Sequence, residues 1–423
     1  MEYIPRIADD LLKKKLSAKG AVLVEGAKWC GKTTTALRQA QSILYMQDPD
    51  QVKQNLEIAQ IEPSRLLKGK TPRLIDEWQM AANLWDAVRF EVDKRNEKGQ
   101  FILTGSAVPP DLREIRHTGT GRIARLKMRP MSLYESGESD GSVSLALLFE
   151  GKDDIEGESS ASLEDLAFYI CRGGWPGAIG LGKDVALEQA FDYFDAVVSA
   201  DISRVDSVAR DEQRTRKLMV SYARAIGSQA SMSSIRKDML SDEGESFSED
   251  TLSSYISALR KIFVIEDSQA WNPNLRSKTA IRTSVTRYFT DPSIGTAALG
   301  AGPEDLLQDL KTMGLLFENL CVRDLRIYGE ALNGTVYHYR DKNGLECDAV
   351  VHLRNGSYGL IEVKLGGDYL VEEGAETLKK FSSKLDTEKM KTPAFKMVLT
   401  GTGKYAYKRK DGILVVPITC LKV

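Results

Sequence analysis

The chain has few of the residues that build disulfide frameworks and zinc sites. Its 423 residues include only three histidines and five cysteines, and no two cysteines form a C-x-x-C pair. The cysteines are Cys30, Cys171, Cys321, Cys347 and Cys420. An odd number of scattered cysteines argues against a disulfide scaffold and against a structural zinc site, and it favours a reducing cytoplasm.

Long apolar runs and a strong charge bias are also missing. The first residues, MEYIPRIADDLLKKKL, lack the apolar core of a signal peptide, and no run approaches the ~20 apolar residues that span a bilayer. Lys and Arg total 58 against 60 acidic residues, a net charge of −2. We therefore expect a cytoplasmic protein without a membrane partner, and any nucleic-acid contact must come from a local basic patch.

The order of elements predicts an α/β multidomain protein, since 423 residues exceed the roughly 250–300 that share one core. Over residues 1–136, apolar strands alternate with helices, which predicts a parallel sheet. Polar, small residues after Gly137 predict a boundary with an exposed loop, and helices then form a lid over 137–213. Three helices and a small β-element occupy 214–295, and a long helix followed by strands occupies 296–423.

The segment GAKWCGKT, residues 26–33, follows an apolar strand and precedes a helix, and it fits the pattern G-x-x-x-x-G-K-[ST]. Glycines let the backbone curl so that N–H groups point at phosphate oxygens, while Lys32 reaches the β- and γ-phosphates and Thr33 ligates Mg²⁺. ATP with Mg²⁺ is the predicted ligand. The predicted nucleotide contacts are Gly26, Ala27, Lys28, Trp29, Cys30, Gly31, Lys32, Thr33 and Thr34.

Two further strands end in polar side chains. RLIDEW ends in adjacent carboxylates, and we expect Asp76 to hold the hydrated magnesium ion and Glu77 to polarise the attacking water. FILTGSA ends in hydroxyls, so that Thr104 or Ser106 is placed to sense the γ-phosphate. The first domain is therefore predicted to hydrolyse ATP.

GAKWCGKT, LIDEW and FILTGSA together resemble the AAA+ class of P-loop ATPases. HTGTGRIARLKMRPMSLYES and CRGGWPG extend the likeness to prokaryotic AAA+ proteins that carry an uncharacterised C-terminal nuclease-like domain. The resemblance implies an arginine supplied by a neighbouring subunit, for which Arg122 with Arg125 behind it is the candidate. It also implies a second sensor in the helical lid, Arg172, and an assembly of six subunits.

The helices and strands of residues 214–290 resemble a winged helix, whose third helix can enter a major groove. This stretch contains twelve Lys and Arg and eight Asp and Glu, so it carries a net positive charge. The expected phosphate contacts are Arg276, Lys278 and Arg282. Winged helices also serve as protein-packing modules, and the residues leave both alternatives open.

Near the far end of the chain, LECDAVVHL and GLIEVKLG read as neighbouring strands joined through an Asn-Gly turn. A two-residue Asn355-Gly356 loop would place Asp348 opposite Val363, on the wrong face from Glu362. A site shared by the two carboxylates therefore requires an odd loop, such as residues 355–357, or a bulge. We predict one of these.

Asp, a spacer and then Glu-x-Lys resemble the PD-(D/E)xK nuclease pattern, with Cys347 standing where the pattern has proline. The resemblance implies a restriction-endonuclease-like domain in which Asp348 and Glu362 bind Mg²⁺ or Mn²⁺, and Lys364 orients or deprotonates a metal-bound water. Glu318, on the preceding helix, fits a further helical ligand. Glu346 is either another ligand or a rim charge.

The leading hypothesis is an ATP-hydrolysing AAA+ protein coupled to a metal-dependent endonuclease domain that acts on nucleic acid, with DNA as the expected substrate. The alternative is a regulatory ATPase whose C-terminal domain only binds DNA or protein. The sequence leaves open the substrate structure, DNA versus RNA, the biological process, and whether ATP drives translocation or gates cleavage.

Overall fold

The structure is a computed structural model that describes residues 3–106, 118–205, 208–240, 247–273, 284–386, 388 and 390–423. The chain forms two compact units. Unit 1 contains residues 1–130, 196–212 and 254–264, and unit 2 contains residues 131–195, 213–253 and 265–423.

Unit 1 is built on a five-stranded parallel sheet. Its strands are β1 (Ala21–Glu25), β2 (Ser42–Tyr45), β3 (Arg73–Asp76), β4 (Phe101–Gly105) and β5 (Ile123–Lys127). They lie in the order β2-β3-β4-β1-β5, and every pair is parallel. β1 lies inside the sheet, between β4 and β5, and is nearly all apolar, as a strand covered on both faces must be. The predicted parallel sheet is confirmed.

Helices cover both faces of this sheet. They are α1 (Ile7–Ala18), α2 (Lys32–Leu37), α3 (Val52–Ile61) and α4 (Leu84–Arg95). The short α9 (Ile202–Arg204) also belongs to this unit and follows a π-helical turn over Val197–Asp201. Alternate residues of β1 enter two separate cores, Leu23 with Trp85 on one face and Val22 with Leu12 on the other. This arrangement leaves the carboxyl ends of the strands open for a ligand.

Unit 2 contains a seven-stranded mixed sheet in the order β7-β12-β13-β11-β10-β9-β8. Its strands are β7 (Gly157–Glu158), β8 (Gly334–Arg340), β9 (Glu346–Leu353), β10 (Tyr358–Lys364), β11 (Phe395–Thr400), β12 (Tyr405–Lys408) and β13 (Leu414–Pro417). β8, β9 and β10 are antiparallel, whereas β10, β11 and β13 are parallel. A separate parallel pair joins β6 (Val143–Ser144) to β14 (Leu421–Lys422).

The 22-residue helix α15 (Leu310–Ala331) and the helix α16 (Asp368–Ser383) pack on strands β8 to β11. The remaining helices are α5 (Leu133–Ser136), α6 (Leu145–Phe149), α7 (Leu163–Arg172), α8 (Lys183–Ala196), α10 (Glu212–Arg224), α11 (Met232–Met239), α12 (Glu249–Lys261), α13 (Pro292–Leu299) and α14 (Pro303–Gln308). Leu360 and Val398 from the sheet pack with Leu378 and Phe381 of α16 in one apolar core.

The polar stretch after Gly137 is exposed over residues 150–162, as its composition predicts, but the part before it, residues 141–148, is largely buried. Val143 and Leu148 are buried, and β6 pairs with the last strand of the chain. β7 pairs with β12, which would otherwise be the edge of the seven-stranded sheet. Covering a sheet edge removes unpaired backbone groups, and this requirement outweighs the polar composition.

The three helices predicted within residues 214–290 are confirmed as α10, α11 and α12. The strands predicted at FVIED and RYFTD appear as one isolated antiparallel bridge, Ile265 with Phe289, and a second bridge, Ser268 with Thr286, lies just outside them. Arg276, Lys278 and Arg282 lie outside the described residues.

All five cysteines are free and buried. Among the described residues, no helix has the length and apolar character that crossing a membrane requires.

Candidate nucleotide site and candidate carboxylate site

The phosphate-binding loop joins the end of β1 to the start of α2, and its glycines are required by geometry. A Cβ on Gly26 would lie 2.0 Å from the carbonyl oxygen of Met128, so no larger residue fits there. Gly31 is the N-cap of α2 and has a φ of 95°, which favours glycine. The loop therefore reaches the helix N-terminus with backbone N–H groups available for an anion.

Lys32 is buried in the loop, and its Nζ donates to the carbonyl oxygen of Ala27 at 2.7 Å. The ammonium is thus folded back over the loop that is to hold the phosphates. Trp29 has a φ of 64° and is 49% exposed at the apex of the loop. A nucleotide that enters this loop has only to replace one carbonyl contact of Lys32.

Both carboxylate oxygens of Asp76 accept hydrogen bonds from side chains. Its Oδ1 accepts hydrogen bonds from Thr33 Oγ1 at 2.7 Å and from Thr104 Oγ1 at 2.5 Å. Its Oδ2 accepts from Gln47 Nε2 at 2.7 Å. The structure thus brings the two predicted magnesium-holding residues into contact and places Thr104 on the same carboxylate. Thr33 and Asp76 offer the oxygen ligands that a nucleotide-bound Mg²⁺ prefers.

Glu77 has the left-handed backbone conformation, with a φ of 55°. A non-glycine residue held in that region is typical of functional sites. Its carboxylate accepts a hydrogen bond from Gln79 and one of 3.4 Å from Ser106. Burial raises the pKa of Glu77, and the charge of Lys32 opposes that rise. A carboxylate with a raised pKa is better suited to accept a proton from water.

Several residues of this site escape sequence reasoning. Gln47 follows β2 at the same sheet edge as Asp76, a position that the strand pattern marks only weakly. Asp201 forms a 2.5 Å ion pair with Lys28, although 173 residues separate them. Arg6 donates to the carbonyl oxygens of Cys30 and Arg129 and so fixes the loop from beneath. No sequence signal marks Asp201 or Arg6.

The three arginines implied by the AAA+ resemblance lie in different surroundings. Arg122 immediately precedes β5 and so lies at the amino ends of the strands, whereas the phosphate-binding loop lies at their carboxyl ends. It pairs with Asp93 at 2.8 Å. Arg125 pairs with Glu25 at 2.9 Å. Arg172 belongs to unit 2 and is buried in an ion pair with Glu138. The predicted roles of these arginines stay predictions.

In unit 2, the hairpin between β9 and β10 has the odd loop that a shared carboxylate site requires. Leu353 N–H donates to the carbonyl oxygen of Ser357, so the loop contains residues 354–356 rather than 355–357. Gly356 has a φ of 84° and supplies the left-handed position of a three-residue loop. Ile361 lies opposite Ala349, and the register therefore carries Asp348 opposite Glu362. The prediction of an odd loop is confirmed.

A bulge also lies beside Asp348. From Tyr337 to Tyr339 on β8 the chain advances two residues, while β9 advances three between their partners, Val350 and Cys347. Bulges of this kind redirect side chains. The Asp348 carboxylate turns to β10 and accepts a hydrogen bond of 2.8 Å from the backbone N–H of Val363. Burial raises the pKa of Asp348, with the charge of Lys364 opposing it.

Glu362 is only 3% exposed, and one of its oxygens, Oε1, is buried with no hydrogen-bond partner within the described part of the chain. The other, Oε2, lies 3.5 Å from Lys364 Nζ. Burial and the charge of Asp348 raise the pKa of Glu362 well above its ordinary value. Burial lowers the pKa of Lys364, but Glu362 and Asp348 outweigh it and the net pKa is raised. Lys364 is thus a stable cation rather than a base.

Glu318 projects from α15 and accepts a hydrogen bond from the hydroxyl of Tyr288, which is fully buried. Burial, followed by the charge of Asp348, raises the pKa of Glu318 well above its ordinary value. The helix glutamate is therefore electrostatically linked to the strand carboxylates. The predicted set of Glu318, Asp348, Glu362 and Lys364 lies in one region of unit 2.

A divalent cation fits part of this set. Glu362 Oε1 is buried and accepts no hydrogen bond from the described residues. A hard cation would bind such a carboxylate oxygen and remove the cost of burying it. However, no three His, Cys, Asp or Glu side chains among the residues that the structure describes are placed to hold a metal ion. Electrostatic interactions link Glu318, Asp348 and Glu362. In this structure the three carboxylates are not close enough together to coordinate one metal ion.

Comparisons with known proteins cover most of the chain in three segments. Residues 18–137 match a family model described as an AAA domain. Residues 163–305 and 313–421 match two models that are each described as a domain of unknown function, DUF8612 and DUF4143. No curated protein matches the chain.

One similar solved structure is a Walker-type ATPase of Pyrococcus abyssi. It is 14% identical, with a TM-score of 0.44, and the match covers 70% of this chain and 96% of that one. The AAA-domain match coincides with the sheet, loop and acid geometry of unit 1. The N-terminal part of the chain is therefore a P-loop ATPase domain of AAA type.

Proposed function

We propose that this ATPase acts with a PD-(D/E)xK-type endonuclease site in the C-terminal domain, so that ATP gates or drives cleavage of DNA. The observation that supports the proposal best is the Asp348–Glu362 arrangement. An odd hairpin loop and a β-bulge place the two acids on adjacent strands, and Lys364 lies 3.5 Å from Glu362. A packing domain has no need of two buried acids and a lysine at one point.

Each residue has a distinct part in the proposed reaction. Asp348 and Glu362 would hold a divalent cation, which lowers the pKa of a bound water and neutralises charge on the phosphodiester. Lys364 is protonated and would attract a phosphate oxygen and hold the substrate in place. Glu318 would take part as a neighbour of Asp348, with one of its two carboxylate oxygens, Oε1, held by the Tyr288 hydroxyl.

Cleavage of labelled DNA and RNA substrates tests the proposal. Duplexes, single strands and junctions are incubated with Mg²⁺ or Mn²⁺, with and without ATP. We expect wild type to cut one class and Asp348→Asn to lose the cutting. Glu304→Gln, which changes an exposed acid of α14, is the matched control and should cut normally. Equal cutting by wild type and Asp348→Asn would contradict the proposal.

A second candidate function is a regulatory ATPase whose C-terminal domain binds DNA or protein without cutting. It is favoured by the lack of a finished three-ligand metal cluster among the described residues. In that case, no divalent ion produces cutting, while filter binding shows ATP-dependent retention of DNA. The winged-helix reading of the middle helices belongs with either function, because it supplies binding only.

We further propose that Arg122 completes the ATPase site of a neighbouring subunit in a six-membered assembly. Its guanidinium lies at the sheet edge away from its own phosphate-binding loop, and its side chain is 47% exposed. Neither Arg122→Ala nor Lys32→Ala alone should turn over ATP, but a mixture should recover activity because each supplies what the other lacks. Full turnover by Arg122→Ala alone would contradict the proposal.

A further inference from the structure

A cavity of unit 2 lies at the hairpin end of β9, away from the carboxylates. Its volume is about 810 Å³, which is within the range of small-ligand sites. Strands β8 and β9, the 354–356 loop and the C-terminal end of α16 contribute to its wall. The cavity is open to solvent on one side, so a ligand can reach it from outside.

One wall of the cavity is aromatic. Trp271, Tyr337 and His352 line it, and the Trp271 indole donates to Nδ1 of His352 at 3.2 Å. The hydrogen bond fixes the neutral tautomer of the imidazole with its hydrogen on Nε2. In the described part of the chain, Nε2 has no hydrogen-bond partner, so it remains available as a donor. Burial lowers the pKa of His352, which agrees with a neutral ring.

Three cations and one acid also line the cavity. Arg354, Lys384 and Lys391 line the cavity together with Asp386. Lys384 pairs with Asp341 at 2.9 Å, but Lys391 Nζ contacts only the carbonyl oxygen of Asn355 among the described residues, at 3.0 Å. Arg354 is exposed, and the described residues offer its guanidinium no partner. At least two positive charges are therefore free for an anion.

From this combination we infer that the cavity binds a nucleotide unit, with the base against the aromatic wall and the phosphate at Arg354 and Lys391. Bases stack on aromatic side chains irrespective of sequence, and guanidinium and ammonium groups are the usual phosphate contacts. The Nε2–H of His352 adds one hydrogen-bond donor for a base edge. The unit belongs either to a free mononucleotide or to the phosphorylated end of a strand. Binding here requires neither cleavage nor ATP hydrolysis.

The test measures binding in full-length Lys32→Ala, which removes nucleotide binding at the phosphate-binding loop, in the presence of EDTA to prevent cutting. AMP is followed by equilibrium dialysis. Short single-stranded DNAs with a 5′-phosphate or a 5′-hydroxyl, labelled at the 3′ end, are followed by fluorescence anisotropy. We expect saturable binding that the pair Arg354→Glu with Lys391→Glu weakens at least tenfold.

Two further variants separate the cavity from general surface charge. Tyr337→Ala should also weaken binding, whereas Lys410→Glu, an exposed charge reversal outside the cavity, should not. The Arg354 and Lys391 changes placed in the wild-type chain should leave ATP turnover intact, which verifies folding.

The two probes distinguish the source of the nucleotide. Binding of the 5′-phosphorylated strand but not its 5′-hydroxyl counterpart identifies a strand end, and binding of AMP alone identifies a free nucleotide. No saturable binding of either probe, or binding unaltered by the double charge reversal, would overturn the inference. Because EDTA suppresses cutting, this result is independent of whether the carboxylate site is a nuclease.

Discussion

The acids of the two sites are held in opposite ways. Asp76 accepts three hydrogen bonds from side chains, and both of its oxygens have donors. Glu362 lies 3.5 Å from one ammonium group and leaves Oε1 without a partner within the described chain. The nucleotide site is thus organised before its ligand arrives. At the carboxylate site, packing holds the acids in place, and the single ammonium of Lys364 compensates their charge only in part, as expected where a cation is to bind.

The largest effect should follow from removing the charge of the nucleotide site. Lys32→Ala deletes the ammonium that reaches the phosphates, and we expect ATP turnover to fall about 1,000-fold. Turnover is measured as phosphate release. Lys68→Ala, an exposed lysine of the same unit, is the control and should behave as wild type. Normal turnover in Lys32→Ala would break the assignment of this site.

Glu77 should separate binding from hydrolysis. Glu77→Gln keeps the shape of the side chain but removes the base, so we expect turnover to drop about 100-fold while ATP binding is retained. Trp29, exposed at the apex of the loop, provides a fluorescence signal for binding. Glu57→Gln changes an exposed acid on α3 and serves as the control. Equal turnover of Glu77→Gln and wild type would refute the role of Glu77.

The nucleotide site was largely predictable because its parts are local. A strand, a glycine-rich loop and a helix N-terminus are adjacent in sequence, and parallel strands bring Asp76 and Thr104 to the same edge without further information. The same reasoning cannot find Gln79 or the ion pair of Lys28 with Asp201. Those contacts depend on how distant segments pack, which residue types alone do not fix.

At the carboxylate site, replacing an acid should raise the stability of the protein instead of lowering an activity. Glu362→Gln removes a buried charge that lacks a full set of partners, so we expect the free energy of unfolding in EDTA to rise by about 1–2 kcal/mol. Urea denaturation at pH 8 measures the change. Glu304→Gln, an exposed acid of α14, should leave stability unchanged. A destabilised Glu362→Gln would mean that Lys364 already compensates the charge.

The pH dependence follows from the same acids. Glu318, Asp348 and Glu362 have pKa values raised in the folded state, so the folded chain binds more protons than the unfolded chain above their ordinary pKa values. Stability in EDTA should therefore fall as the pH rises from about 5 to 8. The slope should be shallower in Glu362→Gln. If the free energy of unfolding depended on pH equally steeply in wild type and Glu362→Gln, Glu362 would not contribute to the pH dependence.

The carboxylate site was only partly predictable. The alternation of GLIEVKLG and the need for Asp348 to meet Glu362 predicted an odd loop, and the structure has one. Its position, residues 354–356, depends on Gly356 taking the left-handed conformation, which an Asn-Gly pair allows at more than one register. The two short strands after Gly137, β6 and β7, were missed because their partners, β14 and β12, lie at the other end of the chain.

The smallest expected effect concerns surface charge. The Arg122–Asp93 pair is exposed on both sides, so Arg122→Ala should change the free energy of unfolding by less than about 0.5 kcal/mol. Thermal denaturation checks this. A large loss of stability would assign Arg122 a structural role and remove it as a candidate for action on a neighbouring subunit.

Calorimetric titration with Mn²⁺ tests the contrast between the two sites most directly. In Lys32→Ala without nucleotide, the account predicts that one Mn²⁺ binds per chain. This binding should be lost when Glu362→Gln is added to Lys32→Ala, and it should be retained when Glu304→Gln is added instead. The same stoichiometry and affinity with and without Glu362→Gln would contradict it, because the partly compensated carboxylate of Glu362 would then not be a cation site.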